Sequence, residues 1–239
     1  MQRRFLVFQH IDVEHPGIFR DFMQTERISW ETIRFDLGQR IPKNTNDYVG
    51  LLSMGGPMDV WEKDQYPWIE EEEEFIRKWV LEHKKPFLGV CLGHQLLATA
   101  LGGTVTKADV PEVGIYEVTL STEGRNHNFF KECPPEFKCL QWHSAQVSIK
   151  PSTAKILAQS ENCKIQALAV GNHAFSFQFH LEVIPTTVDD WVKVPAYKIS
   201  LESALGRNGL NRFRTETESN LPNFNALAEK MYYNWRIAT

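Results

Sequence analysis

The sequence predicts an α/β fold built on an open, mixed and mostly parallel sheet with helices on both faces. Short apolar runs alternate with amphipathic segments from Phe5 to Leu101, and this alternation is typical of parallel strands joined by crossover helices. After the breaker pair Gly102 and Gly103, strand-like segments follow one another with few helical segments between them. We therefore expect the second half of the chain to be strand-rich.

The predicted strands are apolar runs that stop at glycine, proline or polar residues. They cover residues 5–9, 30–35, 48–52, 86–90, 116–120, 137–142, 145–149, 165–170 and 174–179. The predicted helices cover residues 18–26, 67–85, 93–101, 187–205 and 223–236. Between the last two helices, the polar segment 206–220 is predicted to be a mobile loop.

The helix predicted over residues 67–85 has the clearest pattern. Five consecutive glutamates, Glu70 to Glu74, lie near its start, and basic residues lie towards its end. This order of charges complements the helix dipole. We interpret the glutamates as a solvated helix face, with a metal or partner site as the alternative.

A single domain over residues 1–239 is expected, because a chain of this length with 42% hydrophobic residues can bury a sizeable core. Its motif-bearing core spans about residues 5–185, and a C-terminal helical extension spans about residues 186–239. The net charge of -4, without a stripe of Lys and Arg, argues against a nucleic-acid partner.

No apolar run approaches the roughly 20 residues that cross a bilayer, and the run at residues 5–8 is too short for a signal peptide. We therefore expect a cytoplasmic protein without a membrane partner. The four cysteines lack paired CxxC spacing, which disfavours disulfides and a structural zinc site. Cys133, Cys139 and Cys163 are interpreted as buried small hydrophobic residues. Neither a metal nor a cofactor is expected.

The fourth cysteine, Cys91, lies in the pattern Gly-x-Cys-x-Gly between a predicted strand and a predicted helix. This is the pattern of a nucleophile elbow, a tight turn that strains the central residue and leaves little room two positions before and after it. At a helix start, N–H groups and the helix dipole favour a thiolate. The alternative is a structural cysteine that happens to lie between Gly89 and Gly93.

A second motif ends another predicted strand, where His180 is followed two residues later by Glu182. In an extended segment the two side chains point the same way, so Glu182 can accept from one imidazole nitrogen while the other faces a thiol. A lone histidine at a strand end is usually structural. Together with Cys91, however, the pair supplies a nucleophile, a base and an orienting carboxylate.

A third motif, the glycine pair Gly55 and Gly56 before Pro57, follows a strand predicted to lie beside that of Cys91. The pair exposes main-chain N–H groups, which together with the N–H of Leu92 could form an oxyanion hole. An ordinary Gly-Pro turn is the alternative.

Three segments resemble the class I, or triad-type, glutamine amidotransferase family. Residues 86–95 are similar to its nucleophile segment, residues 178–182 to its His-x-Glu motif and residues 55–57 to its oxyanion loop, in the expected order and spacing. Within the family the chain looks most like stand-alone proteins related to the glutaminase domain of GMP synthase, a group that includes the plant γ-glutamyl peptidases. The resemblance implies a flavodoxin-like fold.

By this resemblance, Cys91 attacks the side-chain amide of glutamine, His180 carries a proton to the departing ammonia, and water hydrolyses a glutamyl thioester. Glu182 orients His180, and the main-chain N–H groups of Gly56 and Leu92 bind the oxyanion. The residues that the resemblance places near the substrate are Gly55, Gln95, His143, Ser144 and Ala145.

One segment departs from the family pattern, because Ser144 and Ala145 stand where relatives typically carry glycine and aspartate. The missing carboxylate removes a partner for a charged substrate group, so the substrate could be a γ-glutamyl peptide or amide instead of free glutamine. No ATP pyrophosphatase or Walker A motif is present. An amidotransferase of this kind would therefore need a partner, a separate synthetase subunit.

Two other hypotheses belong to different classes of protein. The chain could be a non-catalytic binding or regulatory protein on the same scaffold, although all three triad residues are present. A metal site built from His10, His15 and His143 has no ligand spacing in its favour. We expect His10 to line the cleft instead, since loops at the carboxyl ends of strands form the ligand crevice of open α/β sheets.

Overall fold

The computed structural model of the chain describes residues 4–237, and nine strands in this range form one sheet. The strands are β1 (Arg4–Gln9), β2 (Ser29–Arg34), β3 (Tyr48–Ser53), β4 (Phe87–Val90), β5 (Thr104–Leu120), β6 (Glu136–Ile149), β7 (Lys155–Gln159), β8 (Ala167–Val170) and β9 (Ala174–Phe177). Their spatial order is β2-β1-β3-β4-β9-β8-β7-β5-β6. Pairing is parallel from β2 to β9 and antiparallel from β9 to β6. The predicted mixed α/β sheet is confirmed.

Seven α-helices accompany the sheet within the described range. They are α1 (Phe19–Thr25), α2 (Trp68–Arg77), α3 (Leu92–Ala100), α4 (Thr122–Arg125), α5 (Thr187–Trp191), α6 (Pro195–Leu205) and α7 (Gly209–Ile237). A π-helical turn, Lys78–Glu82, continues α2. The helix predicted over residues 187–205 is thus divided in two, and Pro195 is the first residue of the second part.

Helices cover both faces of the sheet, as predicted. Alternate residues of a strand point to opposite faces, so Phe5 and Val7 of β1 join the core that α1 and α7 cover, whereas Leu6 and Phe8 join the core under α2 and α3. Full burial of each such side chain contributes about 1.5–3 kcal/mol. Burial on both faces explains why the parallel strands appear in the sequence as continuous apolar runs.

The strands of the antiparallel half are longer than predicted. β5 begins at Thr104 although only residues 116–120 are predicted as a strand, β6 is unbroken, and β7 is absent from the prediction. In β5 and β6, buried apolar residues are separated by exposed Thr, Lys and Glu, so no long apolar run marks them. β5 and β6 pair with each other from one end of β6 to the other, and these main-chain hydrogen bonds make both strands longer than their apolar patterns predict.

The segment 206–220 is mostly helical, so the prediction of a mobile loop is wrong. α7 begins at Gly209 and continues through Pro222 without a break. Phe213 and Thr217 lie one turn apart on its inner face and are buried. Tertiary packing therefore stabilises a helix whose polar composition does not predict one.

Candidate active site

Three adjacent strands bring the predicted motifs together. β3, β4 and β9 are neighbours in the sheet, and Gly55, Cys91 and His180 follow their carboxyl ends within a few residues. Because parallel strands end at the same edge of a sheet, the three motifs meet there. The same edge is where open α/β sheets bind their ligands.

The turn at Cys91 has the elbow geometry that its flanking glycines predict. Cys91 has φ 51° and ψ -102°, a backbone conformation that non-glycine residues rarely adopt. A Cβ on Gly89 would lie 2.6 Å from the carbonyl oxygen of Gly93, and a Cβ on Gly93 would lie 2.1 Å from that of Ser53. At positions 89 and 93, on either side of Cys91, the main chain therefore passes too closely for any residue with a side chain.

His180 and Glu182 are in contact and are both buried. His180 Nδ1 lies 2.6 Å from Glu182 Oε1, and the indole of Trp191 packs edge-on against the imidazole, with ring centroids 4.6 Å apart. Burial by itself opposes a charge on His180, but the electrostatic interactions with Glu182 and Cys91 outweigh it and raise the pKa of His180 well above its usual value. The arrangement favours an imidazolium beside the sulfur atom.

Gln178 makes a further contact to the sulfur atom of Cys91. The segment 178–182 includes Gln178, but the sequence predicts no role for its side chain. The Gln178 side-chain amide donates to Cys91 Sγ at 3.5 Å, and its oxygen accepts from Gln95 Nε2 at 3.1 Å. Gln178 precedes His180 by two positions, so the alternation of an extended chain places it on the same side as His180 and Glu182. That alternation is the signal that could have identified it.

The predicted oxyanion residues Gly56 and Leu92 are neighbours in space. A Cβ on Gly56 would lie 2.8 Å from Leu92 Cδ2. Within residues 4–237, neither main-chain N–H has a hydrogen-bond partner. Both groups are therefore available to bind a negatively charged oxygen.

A pocket opens next to Cys91. Its lining residues come from the loop after β3, from α3, from β6 and from α6: Gly56, Pro57, Met58, Asp59, Cys91, Gln95, Trp142, His143, Ser144, Ala145, Ala196, Tyr197 and Ser200. The predicted substrate residues Gln95, His143, Ser144 and Ala145 thus line one pocket, whereas Gly55 is not among the described residues that line it. The C-terminal extension contributes part of the wall, which no sequence motif indicates.

The side chain of His143 is occupied by partners within the protein. Its Nδ1 donates to the Ala145 carbonyl at 2.9 Å, and its Nε2 lies 3.1 Å from the buried Glu112 carboxylate. Glu112 also accepts from Ser160 and Gln166. The imidazole therefore fixes the main chain beside the pocket and keeps neither nitrogen free for a ligand.

Two predictions about the surroundings are wrong. His10 does not line the pocket, because it is fully buried, with Nδ1 2.8 Å from the Gly55 carbonyl oxygen and Nε2 2.9 Å from Glu72 Oε2. Glu72 is also fully buried, so the acidic run is not a wholly solvated face. Ile69 and Ile76, three positions before and four after Glu72, are buried on the same face of α2, and this helical spacing was the available signal.

A further buried carboxylate, that of Glu14, was missed altogether. Glu14, in the loop after β1, is 2% exposed and accepts a short hydrogen bond from the Tyr197 hydroxyl of α6. Burial raises the pKa of Glu14, although the charge of His180 and the hydrogen bond from Tyr197 oppose the shift. The polar residues that follow β1 were the signal, but the histidines His10 and His15 are the only ones among them considered from the sequence.

The remaining cysteines lie away from the pocket. Cys139 and Cys163 are buried, as predicted, and Cys133 is only partly buried. Burial raises the pKa of the Cys133 thiol to about 11 and that of Cys163 to about 12. In the described part of the chain, no group of three His, Cys, Asp or Glu side chains is arranged to hold a metal ion, and no helix is long and apolar enough to cross a membrane.

Known proteins share this sequence pattern. A family model described as glutamine amidotransferase class-I matches residues 18–192. The chain is 42% identical over 140 residues to a subunit of the glutamine-hydrolyzing GMP synthase of Sulfurisphaera tokodaii, a match that covers 57% of this chain and 69% of that protein. It is 29% identical over 196 residues to gamma-glutamyl peptidase 3 of Arabidopsis thaliana, a match that covers 76% of this chain and 77% of that protein.

Solved structures share the fold. A glutamine amidotransferase from Thermotoga maritima superposes with a TM-score of 0.87 at 27% sequence identity, over 98% of both chains. The family model ends at residue 192, before α6 and α7, but this structural match extends over them. The chain belongs to the class-I glutamine amidotransferase family.

Proposed function

We propose that the chain is a cysteine-dependent glutaminase that hydrolyses the side-chain amide of glutamine to glutamate and ammonia. One observation carries the proposal: Cys91, at a strained elbow, interacts electrostatically with a buried His180 whose Nδ1 lies 2.6 Å from Glu182 Oε1. A nucleophile, a base and an orienting carboxylate in contact are the arrangement that covalent acyl transfer needs.

The reaction follows from the placement of these groups. The Cys91 thiolate attacks the side-chain carbonyl carbon, a C–S bond forms, and the carbonyl oxygen takes the negative charge. The free N–H groups of Gly56 and Leu92 stabilise that charge. As the C–N bond breaks, His180 gives its proton to the leaving nitrogen, and ammonia departs. Water then attacks the thioester, His180 takes a proton from it, and glutamate leaves as the thiolate is restored.

Substrate orientation falls to the polar groups of the pocket. Gln95 is the clearest candidate, because within residues 4–237 its side-chain oxygen has no hydrogen-bond partner and can accept from a substrate N–H. Ser144 is exposed and can offer its hydroxyl. Asp59 is the one carboxylate among the residues that line the pocket, and it could replace the carboxylate that Ala145 lacks as the partner of a substrate ammonium.

A self-sufficient γ-glutamyl peptide hydrolase is the second candidate. It is favoured by the aromatic wall that α6 adds to the pocket, where Tyr197 packs against Trp142 with ring centroids 5.6 Å apart. It is also favoured by the resemblance to a protein named gamma-glutamyl peptidase 3. The thioester chemistry would be the same, but the leaving group would be an amine or a peptide.

The first candidate implies a partner. The similar protein from Sulfurisphaera tokodaii is named as one subunit of a GMP synthase, and by analogy a separate synthetase subunit would receive the ammonia. We place the protein in the cytoplasm, where glutamine and such a partner would be available.

The test is release of glutamate from L-glutamine and, in parallel, from a panel of γ-glutamyl dipeptides. Cys91→Ala should abolish release, while the matched variant Cys133→Ala, which removes a partly buried thiol outside the pocket, should retain it. Turnover of glutamine identifies a glutaminase, and cleavage of dipeptides with little glutamine turnover identifies the hydrolase. Release that persists in Cys91→Ala, or silence of the wild type on every substrate with and without candidate partners, would refute the proposal.

A further inference from the structure

A buried polar network lies directly behind the glycine pair of the proposed oxyanion hole. His10 joins the two ends of this network, with Nδ1 2.8 Å from the Gly55 carbonyl oxygen and Nε2 2.9 Å from Glu72 Oε2. The Ser53 hydroxyl donates to the other oxygen of Glu72 at 2.6 Å. His10, Glu72 and Ser53 are each 0% exposed, and the catalytic steps above use none of them.

The hydrogen-bonding partners fix the protonation of the imidazole. A carbonyl oxygen can only accept, so Nδ1 of His10 must carry a proton. Burial opposes a second proton on the ring, but the charge and hydrogen bond of Glu72 outweigh it and raise the pKa of His10. One proton therefore lies on Nδ1 towards Gly55, and the close contact between Nε2 and Glu72 Oε2 is a second hydrogen bond of the ring. The ring also packs in nearly parallel planes against Trp68 and Phe35, with centroids 5.1 and 5.7 Å away, and this packing holds its orientation.

The Gly55 carbonyl and the Gly56 N–H belong to the same peptide unit. A peptide unit is planar, and in its trans form the C=O and N–H bonds point in opposite directions. Whatever fixes the direction of the Gly55 carbonyl therefore fixes the direction of the Gly56 N–H. Two consecutive glycines have the widest choice of backbone angles, so this peptide needs a restraint from elsewhere.

We infer that His10, held by Glu72, is a positioning residue that fixes the Gly55-Gly56 peptide so that the Gly56 N–H points at the oxyanion. The inference rests on the proposed function, because it assumes that this N–H stabilises the charge that forms when Cys91 attacks a carbonyl. A ring N–H that donates to the Gly55 carbonyl oxygen also polarises the peptide, which makes the Gly56 N–H a stronger donor.

The test compares two reactions of Cys91 that differ in whether an oxyanion forms. Acylation by p-nitrophenyl acetate passes through a tetrahedral oxyanion and needs no γ-glutamyl group. Alkylation by iodoacetamide displaces iodide at a saturated carbon and forms no oxyanion. Release of p-nitrophenol and mass spectrometry of the modified chain measure the two rates.

His10→Leu should slow acylation by about 100-fold, the usual effect of losing one oxyanion donor, and should change alkylation by less than about 2-fold. His10→Asn, which retains a side-chain N–H near the position of Nδ1, should recover part of the acylation rate. Glu72→Gln should slow acylation by a smaller factor, because Gln keeps an acceptor for the Ser53 hydroxyl but replaces the carboxylate that contacts His10 Nε2. The matched control is Glu74→Gln, an exposed residue of the same acidic run, and it should change neither rate.

Equal slowing of both reactions in His10→Leu would overturn the inference, because the variant would then have damaged the elbow or the triad. Unchanged acylation would overturn it as well, and so would a wild type that is alkylated but not acylated. If His10→Leu does not fold, the acylation rates of Glu72→Gln and Glu74→Gln are compared instead. Slower acylation in Glu72→Gln alone, with alkylation unchanged, supports the inference, and equal acylation rates in the two variants overturn it. The variants could show the expected contrast between acylation and alkylation while the wild type hydrolyses no γ-glutamyl substrate. That outcome would refute the proposed function and leave this inference intact.

Discussion

Among single residues, Gly17 supports the proposed triad through its contact with Glu182. It has φ 51°, and the next N–H, that of Ile18, donates to the main-chain carbonyl of Glu182 at 2.8 Å. A Cβ on Gly17 would lie 1.8 Å from that carbonyl oxygen. The loop before α1 can hold Glu182 under His180 only if residue 17 has no side chain.

We therefore expect Gly17→Ala to cost more than about 3 kcal/mol of unfolding free energy and most of the activity. The left-handed backbone alone costs roughly 1–2 kcal/mol for alanine, and the rest comes from displacing Glu182. Gly38→Ala is the matched control, because Gly38 has φ 70° and no atom of residues 4–237 beyond its chain neighbours lies within 4 Å of its Cβ position. It should lose only the backbone contribution. Urea unfolding and glutamate release measure both variants, and equal losses would contradict the explanation.

The residues that could be predicted are those whose position follows from strand order. Cys91 and His180 each follow the end of a strand, and such ends meet at one edge of a parallel sheet. Composition does not separate Glu72 from its four acidic neighbours, and only its helical spacing from Ile69 and Ile76 indicates that it is the glutamate that faces the core. The buried Glu14 depends on α6, since Tyr197 supplies its hydrogen bond.

At the scale of elements, α7 is the largest difference between sequence and structure. Pro222 lies inside this helix, and a proline normally ends the helical prediction because it lacks an N–H and clashes with the preceding turn. The helix continues because residues on both sides of Pro222, including Phe213 and Phe224, are buried in the core. Parallel strands were predicted well because their burial is a local pattern, whereas α7 and β7 depend on distant partners.

Pro222→Ala should therefore stabilise the protein, by about 1–3 kcal/mol in the free energy of unfolding. Alanine restores a helical N–H and costs up to about 3 kcal/mol less than proline inside a helix. Pro195→Ala is the control, because Pro195 is the first residue of α6, where a missing N–H is tolerated. It should change the free energy by less than about 0.5 kcal/mol. A destabilised Pro222→Ala would mean that α7 requires the bend that proline introduces.

At the scale of the whole molecule, buried charge around the pocket should make stability depend on pH. Glu14 is buried and interacts electrostatically with His180, Glu182 and His10, and burial raises its pKa from the ordinary value of 4.5. As the pH rises above 4.5, the unfolded chain releases this proton before the folded protein does. The stabilising contribution of the protonated Glu14 is thus fully present below the unfolded pKa and is lost as the pH rises through the folded one.

Glu14→Gln removes this titration while keeping an acceptor for the Tyr197 hydroxyl. We expect the free energy of unfolding of the variant, relative to the wild type, to increase with pH from about 4.5 upward and to level off once the folded carboxyl has ionised. Urea unfolding at a series of pH values measures the difference. Asn208→Gln, an exposed exchange of one amide for another, should show no dependence on pH relative to the wild type. A constant difference for Glu14→Gln would mean that folding leaves the ionisation of Glu14 unchanged, and the pocket would then have to admit enough water to solvate a carboxylate that is 2% exposed.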